Sequence, residues 1–405
     1  MAGSTIDHLV SLTIFLAALL LFINLFNQTI QTAISYQRNR NLATKCSDLL
    51  DNMLLNPGIP SYWGKSNCTL TGFGLQDPEF TQYKLSPFSL MRLRSSTGEP
   101  IYYSKTGLTY SNITMGFGNF LLVPYTEVIN YTTVQALLGV NNTHGFQLTI
   151  TPIITVSVSE VQSENPLKIS VKVAGTGFPL SNAMVSYCFL RVSLGGAYPA
   201  YTTDYSADYT DDEGLVIFEF PDVYSDDSYA FVAYAHLSGL IGVGYHERVT
   251  SDEQYVIPLV DNLEEQRVLI AHSYDVHQSG SPSELTYNAT FVLLTEDFTL
   301  REMPLENSTG KVVHGQGYPY GVITIPTYNP GILIITYKWN VQEGGVVLMP
   351  WGISSMAFPV TFGEDPLEPF SKNWVVTDIR QVTVSNIAYQ AKLALWSIEG
   401  YQVVS

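Results

Sequence analysis

The chain is 405 residues long, room for two or three domains, and its net charge of −17 rests on only 14% charged residues. So acidic a chain argues against nucleic acid as a partner. Its 26 tyrosines, with Thr, Ser, Val and Gly dense around them, give a β-rich profile.

Residues 9–26 form an 18-residue run, nearly all apolar and without a charge. As a helix it would span roughly 27 Å, close to the ~30 Å hydrocarbon core of a bilayer. A secretory signal peptide would need a basic stretch before the run and a small-residue cleavage site after it. Neither is present, so the run is expected to be a retained membrane anchor. The helix should continue past it, because no Pro or Gly occurs between residues 29 and 55. Leu42, Cys46, Leu49, Leu50 and Met53 recur there as an apolar stripe, and Pro57-Gly58 ends the helix. The stripe packs either on the first β domain or laterally against a like subunit.

Thr5, Asp7 and Val10, directly ahead of the apolar run, resemble the class III signal of archaeal type IV pilin-like proteins. The resemblance implies a cut beside Ala2 or Gly3, with Asp7 as the acidic residue that follows it and the apolar helix retained. The Lys or Arg usual before the cut is missing here. A second patch, Asn56, Pro57, Gly58, Pro60 and Trp63 followed by Phe73, Gly74 and Leu75, is similar to the segment after the helix in archaeal pilin-like membrane proteins. Together the two matches cover about residues 1–80.

Beyond the anchor, Asn67, Asn112, Asn130, Asn141, Asn288 and Asn307 each begin an Asn-x-Ser/Thr triplet, a glycosylation acceptor pattern. Six of them favour an extracytoplasmic body with the N-terminus inside. Arg38, Arg40 and Lys45, just after the span, point the other way by the positive-inside rule. Large domains translocate largely regardless of such charges, so export is the expectation.

The fold class expected is mainly β: one N-terminal transmembrane and amphipathic helix (1–55) followed by β-sandwich domains. Residues 56–157 read as a membrane-proximal β-rich region. It has turn clusters at 77–78, 86–87 and 95–98 and a strand at 146–158. In 158–257, strands are expected at 169–174, 184–192, 215–220 and 228–235, with an irregular Tyr-rich loop between the second and third. The turn at 175–183, with Pro179, Leu180, Ala183 and Val185, and the Thr210, Asp211 and Gly214 hairpin resemble the transthyretin-like and carboxypeptidase-regulatory-like group of Ig-like sandwiches. The resemblance implies a structural role for both turns and is nearly silent on function. Residues 258–365 read as a second β-sandwich unit, 364–369 as a linker, and 366–405 as a β-hairpin turning at Ser385-Asn386.

Three cysteines (Cys46, Cys68 and Cys188) are too few for a disulfide framework, and no Cys/His cluster suggests structural zinc. A Cys46–Cys68 bridge and three unpaired thiols both stay open. The acidic residues Asp204, Asp208, Asp211, Asp212 and Glu213 lack the spacing of a calcium loop and read as a solvated loop. His272 and His277 would face opposite sides if the strand before them continues. No G-x-S-x-G, P-loop or H-E-x-x-H pattern occurs, so no catalytic, cofactor or metal residue is assigned. Tyr198, Tyr201, Tyr205, Tyr209, Trp339 and Trp351 read as strand-face filling, with sugar stacking as the other use. The function expected is a non-enzymatic, membrane-anchored extracytoplasmic structural or interaction protein, pilin-like, in adhesion, surface assembly or envelope organisation. Its partners would be the membrane, like subunits or other cell-surface proteins, and a glycan. The alternative is a membrane-tethered carbohydrate-binding protein or enzyme whose site leaves no motif.

Overall fold

The computed structural model describes residues 2–80, 82–93, 97–114, 120–249, 254–277, 284–295, 299–315, 317–352, 359–366, 374–385 and 387–398. Residues 95–96 of the expected turn and 367–369 of the expected linker lie outside them. Helix Ala2–Leu55 is unbroken over 54 residues, about 80 Å. Thr13, Thr29, Thr32 and Thr44 each return their hydroxyl to the carbonyl four residues earlier, at 2.7–3.1 Å, so these four hydroxyls are satisfied within the helix. The helix stops before Pro57, and Gly58 turns the chain with φ +85°. A Cβ on Gly58 would meet the Gly72 carbonyl at 2.8 Å and the Trp63 indole at 2.9 Å, so only glycine fits.

Past the helix the described residues are mainly β, arranged as five sheets, with short helices at Pro87–Met91, Tyr131–Leu137 and Ser273–His277. The sheet that receives the helix has the order Lys84–Leu85, Val375–Val384, Ile387–Ser397, His144–Pro152, Val360–Gly363. Its centre is the C-terminal hairpin, paired from Val375↔Trp396 to Val384↔Ile387 as expected, with Asn386 of the expected turn outside the described residues. Cys46, Leu50, Met53 and Leu54 are fully buried in the core shared with this sheet, which places the amphipathic stripe on the body of its own chain.

A six-stranded sheet runs Gly321–Thr324, Arg267–His272, Val256–Asn262, Phe120–Pro124, Leu108–Thr114, Thr97–Tyr103. Its middle contact is a parallel bridge, Leu259↔Leu122, so this sheet draws on both the 56–157 and the 258–365 segments. The receiving sheet likewise joins residues 84–85 and 144–152 to the C-terminal hairpin. Sheet pairing therefore crosses the expected segment boundaries.

Residues 155–248 form a sandwich of two antiparallel sheets. One holds Leu215–Phe220, Leu167–Ala174 and Thr155–Gln162; the other holds Leu240–Arg248, Tyr229–Leu237, Met184–Ser193 and Ala200–Tyr209. Ile169, Val171, Phe218 and Phe220 from the first meet Val185, Tyr187, Phe189 and Phe231 from the second, with Phe189 stacked on Phe220 at 4.0 Å. Ala183 is fully buried in the same core. The Tyr-rich segment is an edge strand, not an irregular loop, paired residue for residue with Met184–Ser193. Its polar, exposed side chains hid the alternation. The 210–214 segment is likewise not a hairpin: it carries the chain from one sheet to the other.

The other face of the four-stranded sheet continues into the main core, where Leu190 and Val232 lie with Leu333 and Val347. Those last two belong to a sheet of Leu300–Met303, Glu284–Leu294, Gly331–Lys338 and Gly344–Trp351, with Thr309–Val313 beside Glu284–Leu294. Lys338 donates to the Leu194 carbonyl at 2.7 Å, and the Tyr201 hydroxyl donates to Glu302 at 2.6 Å. These polar contacts pin the sandwich in place.

Gly214 has φ +72°, and a Cβ there would sit 2.5 Å from the Val173 carbonyl. The neighbouring Thr210 hydroxyl donates to Leu180 O at 2.6 Å and accepts from Ala183 N at 2.9 Å. Gly214→Val should destabilise the protein by about 1–3 kcal/mol in chemical denaturation. A variant as stable as the parent would show that the crossover relaxes without glycine.

Candidate functional site

The feature that sets this chain apart is the helix, whose two halves meet opposite surroundings. From Ile6 to Ile34 its large apolar side chains are exposed: Leu20 is 66% accessible and Phe22 67%. No residue of its most apolar window is buried, and the helix is long and apolar enough to cross a membrane. From residue 46 to 54 one face of the same helix, Cys46, Leu49, Leu50, Met53 and Leu54, is core.

The joint between helix and body is polar. Arg380, on the hairpin strand Val375–Val384, grips Asp51 through Nε to Oδ1 at 2.8 Å and Nη2 to Oδ2 at 3.1 Å. Nη2 also donates to Ser47 Oγ at 2.8 Å, and Nη1 to Asp378 Oδ1 at 2.8 Å. Tyr83 donates to Asp51 as well, at 3.0 Å. A planar guanidinium suits this task because it can serve two carboxylates and a hydroxyl at once. Partial burial pushes the Asp378 carboxyl up, but the Ile379 amide and Arg380 outweigh it and hold Asp378 below its ordinary value.

Behind the joint, the patch at 56–75 acts as a clasp. Trp63 is fully buried and donates to the Pro57 and Gly74 carbonyls at 3.1 and 3.0 Å. Leu75 N returns to Met53 O at 2.8 Å, closing the segment on the helix end. Arg92 supports it, donating to the carbonyls of Glu127 at 2.7 Å, Ser66 at 2.8 Å and Trp63. The residues that resemble a pilin-like segment therefore do structural work here.

Ala2, Gly3 and Thr5 lie on the helix, with side chains outside the described residues; Asp7 is exposed beside the start of the apolar run. Asn67, Asn141 and Asn307 are exposed, whereas Asn130 and Asn288 are half-buried; the side chain of Asn112 is outside the described residues. Cys46, Cys68 and Cys188 are all unbridged. Burial pushes the Cys46 thiol up to about 11 and Cys188 to about 12, so both act as small core side chains.

The acidic residues do not converge. Asp204 and Asp208 sit on the edge strand, while Asp211 Oδ1 accepts from Glu213 N and Leu215 N at 2.9 Å each, closing the turn. Among the described residues no group of three His, Cys, Asp or Glu is placed to hold a metal. His272 ends its strand, and the chain turns into helix Ser273–His277 instead of continuing. The structure brings His272 beside His314, with ring centres 5.6 Å apart. Nearby, Lys105 and Asp275 form an ion pair at 2.9 Å with side chains 4% and 5% exposed. Lys105 also donates to Val313 O at 2.6 Å, and Gly315 N donates to Asp275 at 2.7 Å. Residues this far apart in the chain give no local pattern from which the pair could be found. Two open clefts lie on the surface of the described residues. One of about 670 Å³ is lined by Arg191, Asp226 and Asp227, and one of about 480 Å³ by Lys65, Phe80, Lys84 and Tyr328.

Arg380→Ala leaves Asp51 and Asp378 without their cation, and should cost about 1–3 kcal/mol of stability. An unchanged melting temperature would show that apolar packing alone holds the helix. Because the folded Asp378 value is lowered, its contribution is complete above about pH 4 and is lost as pH falls through the folded value. Asp378→Asn should flatten that acid limb of a pH–stability profile; an unaltered limb would remove Asp378 from the joint.

No protein-family model matches the chain, and no curated protein matches it. Among solved structures it is similar to Escherichia coli alpha-2-macroglobulin in its native conformation, at 10% identity over 67% of this chain and 19% of that one, TM-score 0.21. The trypsin-activated form of that protein gives 10%, 67%, 20% and 0.21. Red sea bream transglutaminase gives 10% identity over 60% of this chain and 37% of that one, TM-score 0.17. The chain spans about a fifth of the macroglobulins' length. A likeness this slight carries no functional argument.

Proposed function

We propose that the chain is a single-pass membrane-anchored protein, N-terminus inside, whose β-rich body is extracytoplasmic. Its role is structural or interactive, pilin-like, in adhesion, surface assembly or envelope organisation, and not catalytic. The observation that carries this reading is the helix, apolar and uncovered over its first half and packed by one face into the protein core from Cys46 to Leu54. Partners follow from that placement: the lipid bilayer, and like subunits or other surface proteins. Protease added to intact cells should digest the body, and full protection would sink the topology.

The pilin-like element rests on Thr5 and Asp7 ahead of the apolar run. In a filament, an acid at this position pairs with the neighbouring subunit's freed amino terminus, offsetting the cost of burying its charge. In a plain anchor, Asp7 stays at headgroup level, favoured by the positive end of the helix dipole. Mass spectrometry of the mature N-terminus separates the two. A start at Gly3 or Ser4, with assembly lost on Asp7→Ala, supports the filament subunit. A start at Met1 or Ala2 with Asp7→Ala harmless removes filament formation.

A second reading, a tethered carbohydrate binder, is favoured by the 480 Å³ cleft, where Phe80 is 46% exposed. Phe80→Ala should then weaken oligosaccharide binding at least tenfold in calorimetry. Absence of binding by the parent protein discards this reading.

A further inference from the structure

Attachment of an N-linked glycan makes two demands on an acceptor. The asparagine amide nitrogen attacks C1 of an oligosaccharide carried on a polyprenyl phosphate or pyrophosphate in the membrane. The new N–C1 bond replaces the C1–O bond, the lipid phosphate leaves with that electron pair, and the amide proton passes to a base. The transferring enzyme has to hold the asparagine amide and the hydroxyl two residues further on at the same time, so both must be reachable. Sequence treats every triplet alike. The fold does not.

At Asn67 both groups are open, since Asn67 and Thr69 are each exposed in an irregular segment. The same holds for Asn307 and Thr309: both are exposed, with Asn307 at φ +57° in the bend before strand Thr309–Val313. Each other triplet whose side chains are described has at least one group engaged. Thr143, the hydroxyl partner of Asn141, is half-buried and bonded to Val140 O at 3.0 Å and to His144 at 2.9 Å. Asn130 is a helix N-cap, with Oδ1 accepting from Thr133 N at 2.8 Å and Thr132 Oγ1 at 2.9 Å.

Asn288 is the most closed. It lies inside strand Glu284–Leu294, flanked by Thr309 on one side and Thr336 on the other. Its hydroxyl partner Thr290 is 2% exposed and donates to Glu302 at 2.5 Å. That glutamate also takes the Tyr201 hydroxyl from the sandwich, so a glycan at Asn288 would intrude on a docked interface. The conflict arises whether transfer precedes folding or follows it. A seventh triplet, starting at Asn27, lies within the helix, and its Thr29 hydroxyl is folded back onto Leu25 O at 2.8 Å.

We infer that Asn67 and Asn307 carry N-linked glycans in the mature protein and that Asn288 carries none. The inference rests on the proposed extracytoplasmic body. The test is glycopeptide mass spectrometry on the full chain purified from its native membranes, alongside protease treatment of intact cells. Peptides holding Asn67 and Asn307 should bear glycan in most copies, those holding Asn288 and Asn27 should be bare, and Asn67→Gln with Asn307→Gln should lower the mass of the intact protein by those two glycans. Bare Asn67 and Asn307, or Asn288 occupied as fully as Asn307, overturns the site inference. When such a result accompanies a protease-sensitive body, the topology stands and only the site inference fails. A protease-resistant body with every triplet bare removes both.

Discussion

A helix of 54 residues that shows apolar side chains all around its first half cannot rest in water. Each large side chain left uncovered forgoes about 1.5–3 kcal/mol, so the stretch as a whole amounts to tens of kcal/mol. The rest of the architecture follows from where that stretch must go and from how the helix is held beyond it. Continuity matters as much as hydrophobicity. With no Pro or Gly between residues 29 and 55 there is no flexible tether, and the apolar half and the core-packed end form one rod.

The rod is held by the other end of the chain. Asp51 and Arg380 are 329 residues apart in sequence, and the sheet that buries Leu50 and Met53 has the C-terminal hairpin at its centre. Closing so long a loop costs little more than closing a short one, because the entropy grows only with the logarithm of length. It does require the intervening sheets to be in place, so the joint is expected to form late. The sandwich at 155–248 is docked in turn by Lys338 and by Glu302, which collects hydroxyls from Tyr201 and Thr290. Polar contacts set the registry of surfaces whose cohesion is apolar.

What could be read in the sequence was local. The apolar run, its continuation to Leu55 and the stop at Pro57-Gly58 depend on helix periodicity and backbone restriction, and the structure keeps all three. The hairpin around Ser385 and the positive φ of Gly214 are equally short-range, whereas the close approach of Gly214 to Val173 is not. The strand Ala200–Tyr209 went unseen because, as an edge strand, it keeps nearly every side chain exposed and loses the usual alternation. The pairings Leu259↔Leu122 and Lys84↔Thr383 left no trace at all, since parallel partners can lie anywhere along a chain. The buried Lys105–Asp275 pair and the Arg380 joint belong to the same class: single polar residues whose partners only the fold supplies.

The most direct measurement is the depth of the helix in a lipid bilayer. Nitroxide labels at positions 15, 22 and 36 of the reconstituted protein would report collisions with oxygen and with a water-soluble nickel chelate. An anchor running through lipid predicts high oxygen and low nickel accessibility at 15 and 22, reversed at 36, where Tyr36 is 72% exposed. Free nickel access at 15 and 22, or shielding of both positions from both reagents, would contradict a helix that meets the bilayer directly.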